Sequence, residues 1–329
     1  MRPHAVTAVA GTNIALVKYW GKRDVALNLP ATGSLSLTLD RLGTRTTVVF
    51  DDGAADRVYL DGAEAAPAFA SRVSAFLDRV RARAGIDARA RVVTENSVPT
   101  AAGLASSASG FAALAVAATQ AAGLALSPTE LSELARLGSG SAARSIFGGL
   151  VEMARGERAD GRDAVAHPIA GAEDWPLRLV IAVTAHGPKA IGSTAAMERT
   201  AKTSPFYEAW VRGVEADLVA ARAAIAGRDL AALGVVAEHS ALRMHATALA
   251  AEPAIFYWTP ATLAAIEAVR SLRAAGTQTF VTIDAGPHVK ALCAAADAEA
   301  VAAALAVVPG VSRTIIAAPG PGARVLEVT

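Results

Sequence analysis

Residues 90–120 read ARVVTENSVPTAAGLASSASGFAALAVAATQ. A β-branched run over Ala90–Thr94 gives way to polar residues, a loop opens at Pro99, and a Ser-rich segment runs directly into an Ala-dominated apolar stretch. That order predicts a strand, a tight loop and the N-terminus of a buried helix over about Ser107–Ala122. Small residues let backbone N–H groups approach a ligand, and a helix N-terminus adds a field that favours an anion. Three hydroxyls, Ser106, Ser107 and Ser109, fall within four residues and could bind phosphate oxygens or one magnesium ion. An ordinary capped helix after a tight turn would carry the same residues, so the segment alone leaves both readings open. No Gly-Lys-Ser/Thr follows the first Gly at the required spacing, which excludes a Walker A loop.

Further strand-like runs occupy Ala5–Ala10, Thr46–Phe50, Leu179–Thr184 and Thr279–Ile283. Helical patterns cover about Ala66–Ala84, Ser127–Leu137, Pro205–Ala226, Leu230–Ala250 and Pro260–Ala275. Ser127-Pro128-Thr129-Glu130 has the form of a capping box with Pro at the first helical position, and Gly276 stands where a left-handed cap would end a helix. Strands and helices mix in the first half, the middle is helical, and the end returns to strands. This implies an α+β chain rather than a doubly wound parallel sheet. The cluster Gly187, Pro188 and Gly192 suggests a boundary, giving domains of 1–185 and 186–329.

The chain has 329 residues, which accommodates two domains. Its 31 Lys plus Arg balance 30 Asp plus Glu, so no global charge recommends a nucleic acid or an anionic membrane as partner. The most apolar stretch, Gly110–Leu126, is short for a span of about 20 residues and carries Thr119 and Gln120. The N-terminus lacks the shape of a signal peptide, and the expectation is a soluble cytoplasmic protein. A single Cys293 excludes an intrachain disulfide and any multi-thiolate metal site within one chain. Only five basic residues are Lys (18, 22, 189, 202 and 290), the rest being Arg, yet two of the five lie four residues apart. Lys is a compact point charge and Arg a planar fork, so some sites accept only one of them.

Three other segments could do chemistry. Lys18-Tyr-Trp-Gly-Lys22-Arg-Asp24 packs three cations and two aromatics into seven residues, and either a strand or a helical turn would let Lys18 and Lys22 act on one polyanion. Arg136-Leu-Gly138-Ser139-Gly140-Ser141-Ala-Ala-Arg144 imitates a dinucleotide fingerprint, but a helix rather than a strand precedes it. A second anion cradle, with Arg144 as a bidentate fork for a carboxylate or phosphate, suits it better. Asp284-Ala-Gly-Pro287-His288 at the end of an apolar strand is typical of a turn, and equally a way to fix one carboxylate rigidly. The six His show no ligand spacing, and His245 reads as a packing residue; Gly-x-Ser-x-Gly is absent, which argues against a serine hydrolase.

Together these segments resemble the diphosphomevalonate decarboxylase family, within the superfamily of small-molecule kinases that includes galactokinase, homoserine kinase and mevalonate kinase. The stretches NIALVKYWGKRD (13–24), PTAAGLASSASG (99–110), ARLGSGSAARSIFGG (135–149), LRMHAT (242–247) and DAGPHVK (284–290) occur in the family's order over nearly the whole chain. The resemblance implies a two-domain fold of the galactokinase–mevalonate kinase (GHMP kinase) type, with an N-terminal ATP-binding domain like ribosomal protein S5 domain 2 and a ferredoxin-like C-terminal domain. It implies ATP-dependent conversion of mevalonate 5-diphosphate to isopentenyl diphosphate in isoprenoid biosynthesis, with magnesium, by a homodimer. Asp284 would be general base or positioning group, with Lys18 beside it. Arg144 would hold the substrate carboxylate, and Tyr19, Lys22, Ser139, Gly140 and Ser141 the diphosphate. Ser193 would reach the phosphate region. Ala102, Gly103, Leu104, Ala105, Ser106, Ser107 and Ser109 would cradle the ATP phosphates, Ser107 at the position that binds magnesium in related kinases. Two departures stand out: Arg136 lies near where kinase relatives bring an acidic magnesium ligand, and position 288 is His where many members have Asn. The nearest rival is a decarboxylase or kinase acting on mevalonate, its 3-phosphate or its 5-phosphate. A more distant rival is a silent paralogue that binds nucleotide only.

Overall fold

In chain order the elements are β1 (Val6–Val17), β2 (Lys22–Asp24), β3 (Leu29–Pro30), β4 (Ser34–Asp51), β5 (Arg57–Leu60), β6 (Ala63–Glu64), α1 (Pro67–Ala84), β7 (Arg89–Asn96) and α2 (Ser106–Ala121). They continue with α3 (Pro128–Gly138), α4 (Ala142–Ser145), β8 (Leu150–Met153), β9 (Ala166–Ala170), β10 (Leu177–Val183), α5 (Ser193–Thr203), α6 (Tyr207–Ala226) and α7 (Leu230–Leu249). The last are α8 (Pro260–Ala274), β11 (Thr279–Ile283), β12 (Val289–Ala294), α9 (Ala298–Ala306), β13 (Arg313–Ala317) and β14 (Arg324–Val328). The computed structural model describes residues 4–97, 106–185, 187 and 189–329, with Ser106 described by its backbone alone.

Two sheets organise the chain. The first has eight strands, with β14-β1-β4-β7-β5-β6 in order and β8 and β9 branching from β4. The second is the antiparallel order β11-β12-β10-β13. Residues of β10 alternate between two cores: Val180 and Ala182 join α8 and α9, while Leu179 and Ile181 join a central cluster with α6 and α7. A strand buried on both faces reads as a continuous apolar run, which is why β10 and β11 stand out in the sequence. The central cluster also takes Ile14 and Leu16 of β1 and Leu35 and Leu37 of β4, so it joins the two sheets.

On the far face of the first sheet, α2 packs its alanines against β1 and β4. Small side chains let that helix sit close to the sheet. Thr119 is satisfied by donating to the Ala115 carbonyl at 2.7 Å, and Gln120 is exposed. No helix among the described residues is long and apolar enough to cross a membrane. The Ser127–Glu130 capping box forms as expected, and Gly276 takes φ +103° just beyond α8.

Three expectations change. The strand expected over Ala5–Ala10 runs on to Val17, with register shifts against β4 at Gly11/Asn13 and Ala15/Val17. Such bulges bend and twist a strand, and the second one delivers Lys18 at the strand's end. The strand expected over Thr46–Phe50 begins at Ser34. The division at 185/186 does not follow the sheets: β10 pairs with β12 and β13, and β14 returns to β1. Gly187 and Gly192 lie between β10 and α5, inside the second unit, Pro188 lies outside the described residues, and the changeover between sheets falls between β9 and β10.

Candidate active site

A cleft of about 1060 Å³ opens between the two sheets, and it gathers residues from every segment singled out above that the structure describes. At its centre is Asp284, the first residue after β11. Lys18 Nζ donates to Asp284 Oδ1 at 2.7 Å and to the Ala15 carbonyl at 2.7 Å, and Lys290 Nζ stands 3.0 Å from Asp284 Oδ2. Both lysines are almost fully buried, whereas the carboxylate keeps 31% of its surface open to the cleft. Burial alone would raise the Asp284 pKa, but the two ammonium groups outweigh it and hold the carboxyl well below the usual range. Burial pulls Lys18 down; Asp284 offsets part of this, Lys290 and Arg144 add to it, and the pKa settles at about 8.

Across the cleft lies Arg144 on α4. Its Nε donates to Ser36 Oγ at 2.9 Å and to Asn13 Oδ1 at 3.3 Å, and Nη2 donates to Asn13 Oδ1 at 3.2 Å. Nη1 reaches Ser34 Oγ. Burial lowers its pKa to about 10. Among the described residues this guanidinium makes no ion pair; its fork is oriented by neutral groups and faces the cleft. Asn13 also donates to the Ser141 carbonyl at 2.9 Å and the Ser145 hydroxyl at 2.8 Å, tying β1 to the loop that carries Arg144.

The remaining cations line the same space. Lys22, at the start of β2, donates to Asn28 Oδ1 at 2.6 Å, and Asn28 Nδ2 donates to the Leu137 carbonyl at 3.0 Å. This docks the β2–β3 hairpin beside Ser139, Gly140 and Ser141. Trp20 is buried, and its carbonyl accepts from Trp210 Nε1 at 3.1 Å. The close approach of Tyr19 explains the glycine at 140: a Cβ there would stand 2.4 Å from the Tyr19 hydroxyl. Lys189 donates to Ser193 Oγ at 2.8 Å and to the Ala285 carbonyl at 3.0 Å, linking the start of α5 to the Asp284 turn.

Ser107 is exposed at the head of α2 and lines both the cleft and an adjoining cavity of about 170 Å³ walled by Phe69, Val92 and Phe111. Ser109 differs from expectation. Its hydroxyl is buried 2.7 Å from Thr44 Oγ1 and accepts from Thr12 Oγ1 at 3.4 Å, so it braces α2 against the sheet and does not line the cleft. Helical spacing explains this, since residues two apart on a helix face different ways. Ala102, Gly103, Leu104, Ala105 and the Ser106 side chain lie outside the described residues. Arg136 is fully buried, donating to the carbonyls of Leu27, Gly161 and Ala164, and it fixes loops rather than ligand. His288 Nδ1 accepts from the Thr184 amide at 3.2 Å, and His245 packs between Tyr257 and Trp258.

No group of three or more His, Cys, Asp or Glu among the described residues could hold a metal ion. Asp284 is committed to two lysines, so a divalent cation here would be held by ligand phosphates with the Ser107 hydroxyl as the protein donor. That donor set suits magnesium, which keeps few protein ligands when phosphates supply the rest. Residues that the sequence reading missed are Asn13, Ser34, Ser36 and Lys290. Asn13 and Lys290 belong to the family-like stretches quoted above, and Ser34 and Ser36 to an alternating SLSLTL run.

Residues 10–166 match the model of the diphosphomevalonate decarboxylase-like N-terminal domain, and residues 179–317 that of the mevalonate 5-diphosphate decarboxylase C-terminal domain. The chain belongs to the diphosphomevalonate decarboxylase family. It is 38% identical to the decarboxylase mvd1 of Aspergillus fumigatus over 93% of this chain and 81% of that one. The fold is similar to mevalonate diphosphate decarboxylase from Staphylococcus aureus, with TM-score 0.94 and 38% identity over 99% of this chain and 98% of that one. It is also similar to MDDEF in complex with MVAPP, AMPPCP and magnesium, with TM-score 0.92 and 42% identity over 99% of both chains. The α+β, two-unit architecture is thus that of family members, and the cleft of this decarboxylase-family chain lies at the junction of its two sheets.

Proposed function

We propose that this chain catalyses the ATP-dependent decarboxylation of mevalonate 5-diphosphate to isopentenyl diphosphate, ADP, phosphate and carbon dioxide. One observation carries the reading: a carboxylate held ionised by two lysines faces a buried guanidinium that has no anionic partner among the described residues. A substrate with both a hydroxyl to be activated and a carboxylate to be held matches that pair. Family membership and the ligands named for MDDEF support the choice of substrate.

The C3 hydroxyl is tertiary and a poor leaving group, so it must first become a phosphate ester. Asp284 orients that hydroxyl and accepts its proton as the oxygen takes the terminal phosphoryl group of ATP. A carboxylate held this far below neutrality is a weak base at equilibrium, so the proton moves only once the oxygen begins to bond phosphorus and its acidity rises. The C3–O bond then breaks with loss of phosphate, leaving positive character at C3. The carboxylate C–C pair becomes the new double bond and carbon dioxide departs. Arg144 fixes the carboxylate so that the breaking bond aligns with C3. Lys22, Tyr19 and the 139–141 turn hold the diphosphate; Lys189 and Ser193 hold the transferring phosphoryl group; Lys18 neutralises charge beside it. Magnesium, with Ser107 as its protein ligand, would neutralise phosphate charge when bound. The homodimer expected for the family suits the exposed Val219, Val235 and Leu242 on α6 and α7, and light scattering tests it. A cytoplasmic setting suits the buried free thiol of Cys293.

The test is an end-point assay with ATP, magnesium and mevalonate 5-diphosphate, run in parallel with the 5-phosphate, the 3-phosphate and mevalonate. Equal ADP, phosphate and carbon dioxide from the diphosphate alone is the expected result. ADP without carbon dioxide would make the chain a kinase, and turnover only on a less phosphorylated substrate would displace the assignment.

A further inference from the structure

Asp284 has a second lysine partner that the scheme above leaves without a role. Lys290 lies on β12 directly across from Thr282 on β11. Its ammonium takes Asp284 Oδ2, while Lys18 takes Oδ1 from the other sheet. The Lys290 side chain is 5% exposed and that of Asp284 31%, so the carboxylate, far more than the lysine, meets the cleft. Thr282 closes the frame by donating at 3.1 Å to the Ala15 carbonyl, the same oxygen that accepts from Lys18.

A carboxylate turns readily about its Cβ–Cγ bond, because that torsion is broad and two-fold. One ammonium on one oxygen leaves the other free to swing. Donors on both oxygens fix the plane and leave the open edge aimed at the cleft. We propose that Lys290 is a positioning residue for the reaction: it locks the plane of the Asp284 carboxylate from the second sheet, opposite Lys18, so that the remaining lone pairs meet the substrate hydroxyl. This rests on the reading of Asp284 given above.

Lys290 has a second effect, on charge. The groups facing Lys18 are Asp284 and Lys290 from the β11–β12 pair, Arg144 from α4 and His245 from α7. His245 is neutral at ordinary pH, its pKa drawn to about 3 by burial, so Lys290 and Arg144 are the like charges that push Lys18 down. Loss of the Lys290 charge must therefore raise the Lys18 pKa.

The experiment compares Lys290→Met, Lys290→Gln and Asp284→Asn in the full-length protein, measuring kcat, KM for mevalonate diphosphate, the pH profile of kcat/KM, and Tm. Lys290→Met is expected to lower kcat at least about tenfold with KM within about threefold, as for a misaligned base. The alkaline limb of its profile should move upward by about half to one pH unit. Lys290→Gln restores a donor without the charge, so it should keep more turnover than Met while showing the same upward movement. A lysine that only neutralises a buried carboxylate would give a lower Tm and the same upward movement of the alkaline limb with kcat unmoved, and that outcome overturns the proposal. If Lys290→Met does not fold, Lys290→Gln carries the test alone: a kcat equal to that of the parent refutes it. Asp284→Asn distinguishes the two levels. Near-normal turnover there removes Asp284 from the chemistry, whereas an inactive Asp284→Asn beside unperturbed Lys290 variants defeats only the role of Lys290.

Discussion

Replacing Arg144 with Met separates the holding of a substrate carboxylate from the stability of the fold. Burial draws this guanidinium from 12.5 to about 10. At about 1.4 kcal/mol per pH unit, that corresponds to roughly 3 kcal/mol opposing the folded state. The folded pKa of this cation is lowered, so the penalty is present at every pH below about 10 and is relieved only as pH rises towards 12.5. Met is of similar length and uncharged, so the substitution removes that penalty. It also leaves the oxygens of Asn13, Ser34 and Ser36 without their donor, at about 1 kcal/mol each. The two contributions nearly cancel, and the expected change in unfolding free energy lies within about 2 kcal/mol of zero. Activity has no such compensation. A substrate carboxylate left buried without its two-pronged partner loses about 3–5 kcal/mol, or roughly 10²- to 10³-fold or more in kcat/KM. The assay is release of labelled carbon dioxide beside ADP formation, with ATP affinity by calorimetry and stability by urea unfolding. Turnover within tenfold of the parent would refute the role, as would equal losses in ATP affinity and catalysis. Destabilisation beyond about 4 kcal/mol would make Arg144 a structural residue.

The free enzyme should lose kcat/KM as pH rises through about 8, because Lys18 must be protonated to hold Asp284 and its pKa lies there; a flat profile from pH 7 to 10 would contradict this. Gly140→Ala places a methyl group against the Tyr19 hydroxyl and should raise KM for the diphosphate about tenfold, the equivalent of a 1–2 kcal/mol overpacking term, with kcat little changed. A KM within twofold of the parent would show that Tyr19 yields freely. Ser107→Ala and Ser109→Ala should part company: the first raises KM for magnesium-ATP about tenfold or more, and the second leaves it unchanged but lowers stability by about 1 kcal/mol by removing a buried partner of Thr44. Equal effects on ATP would return Ser109 to the phosphate site.

Much of the fold is written locally. The capping box of α3, the Pro-led α8 and the doubly buried strands β10 and β11 all follow from neighbours in sequence. What escapes is nonlocal. β14 pairs with β1 from the opposite end of the chain, and nothing in RVLEV specifies that partner. β4 begins with SLSLTL, a clear two-residue period, but Ser34 and Ser36 are as buried as Leu35 and Leu37 because Arg144 sits on their face. A polar row that ought to meet water instead meets a buried guanidinium. β12 is obscured in the same way: Lys290 interrupts an apolar run and makes sense only once its ammonium is seen 3.0 Å from Asp284. The candidate site was legible as separate segments, and their convergence was supplied by the family resemblance rather than by their spacing.

The distribution of lysine shows why these positions take the residue types they do. Lys18, Lys22, Lys189 and Lys290 all line one cleft, and only Lys202, exposed on α5, lies elsewhere. The chain writes its other cations as arginine, including those that brace loops from the interior, such as Arg136 on three backbone carbonyls. A guanidinium presents several donors in one plane and stays charged, which suits the set of carbonyls at Arg136 and the planar carboxylate proposed above for Arg144. Asp284 asks for something different. Two forks on its two oxygens would cover the edge that must stay open, whereas two ammonium groups each occupy one oxygen and leave that edge to the cleft. The pKa of an ammonium can also be brought towards neutrality by burial, as that of Lys18 is beside Asp284. Four of the five lysines thus fall on this cleft, and at Asp284 two compact ammonium groups take one oxygen each.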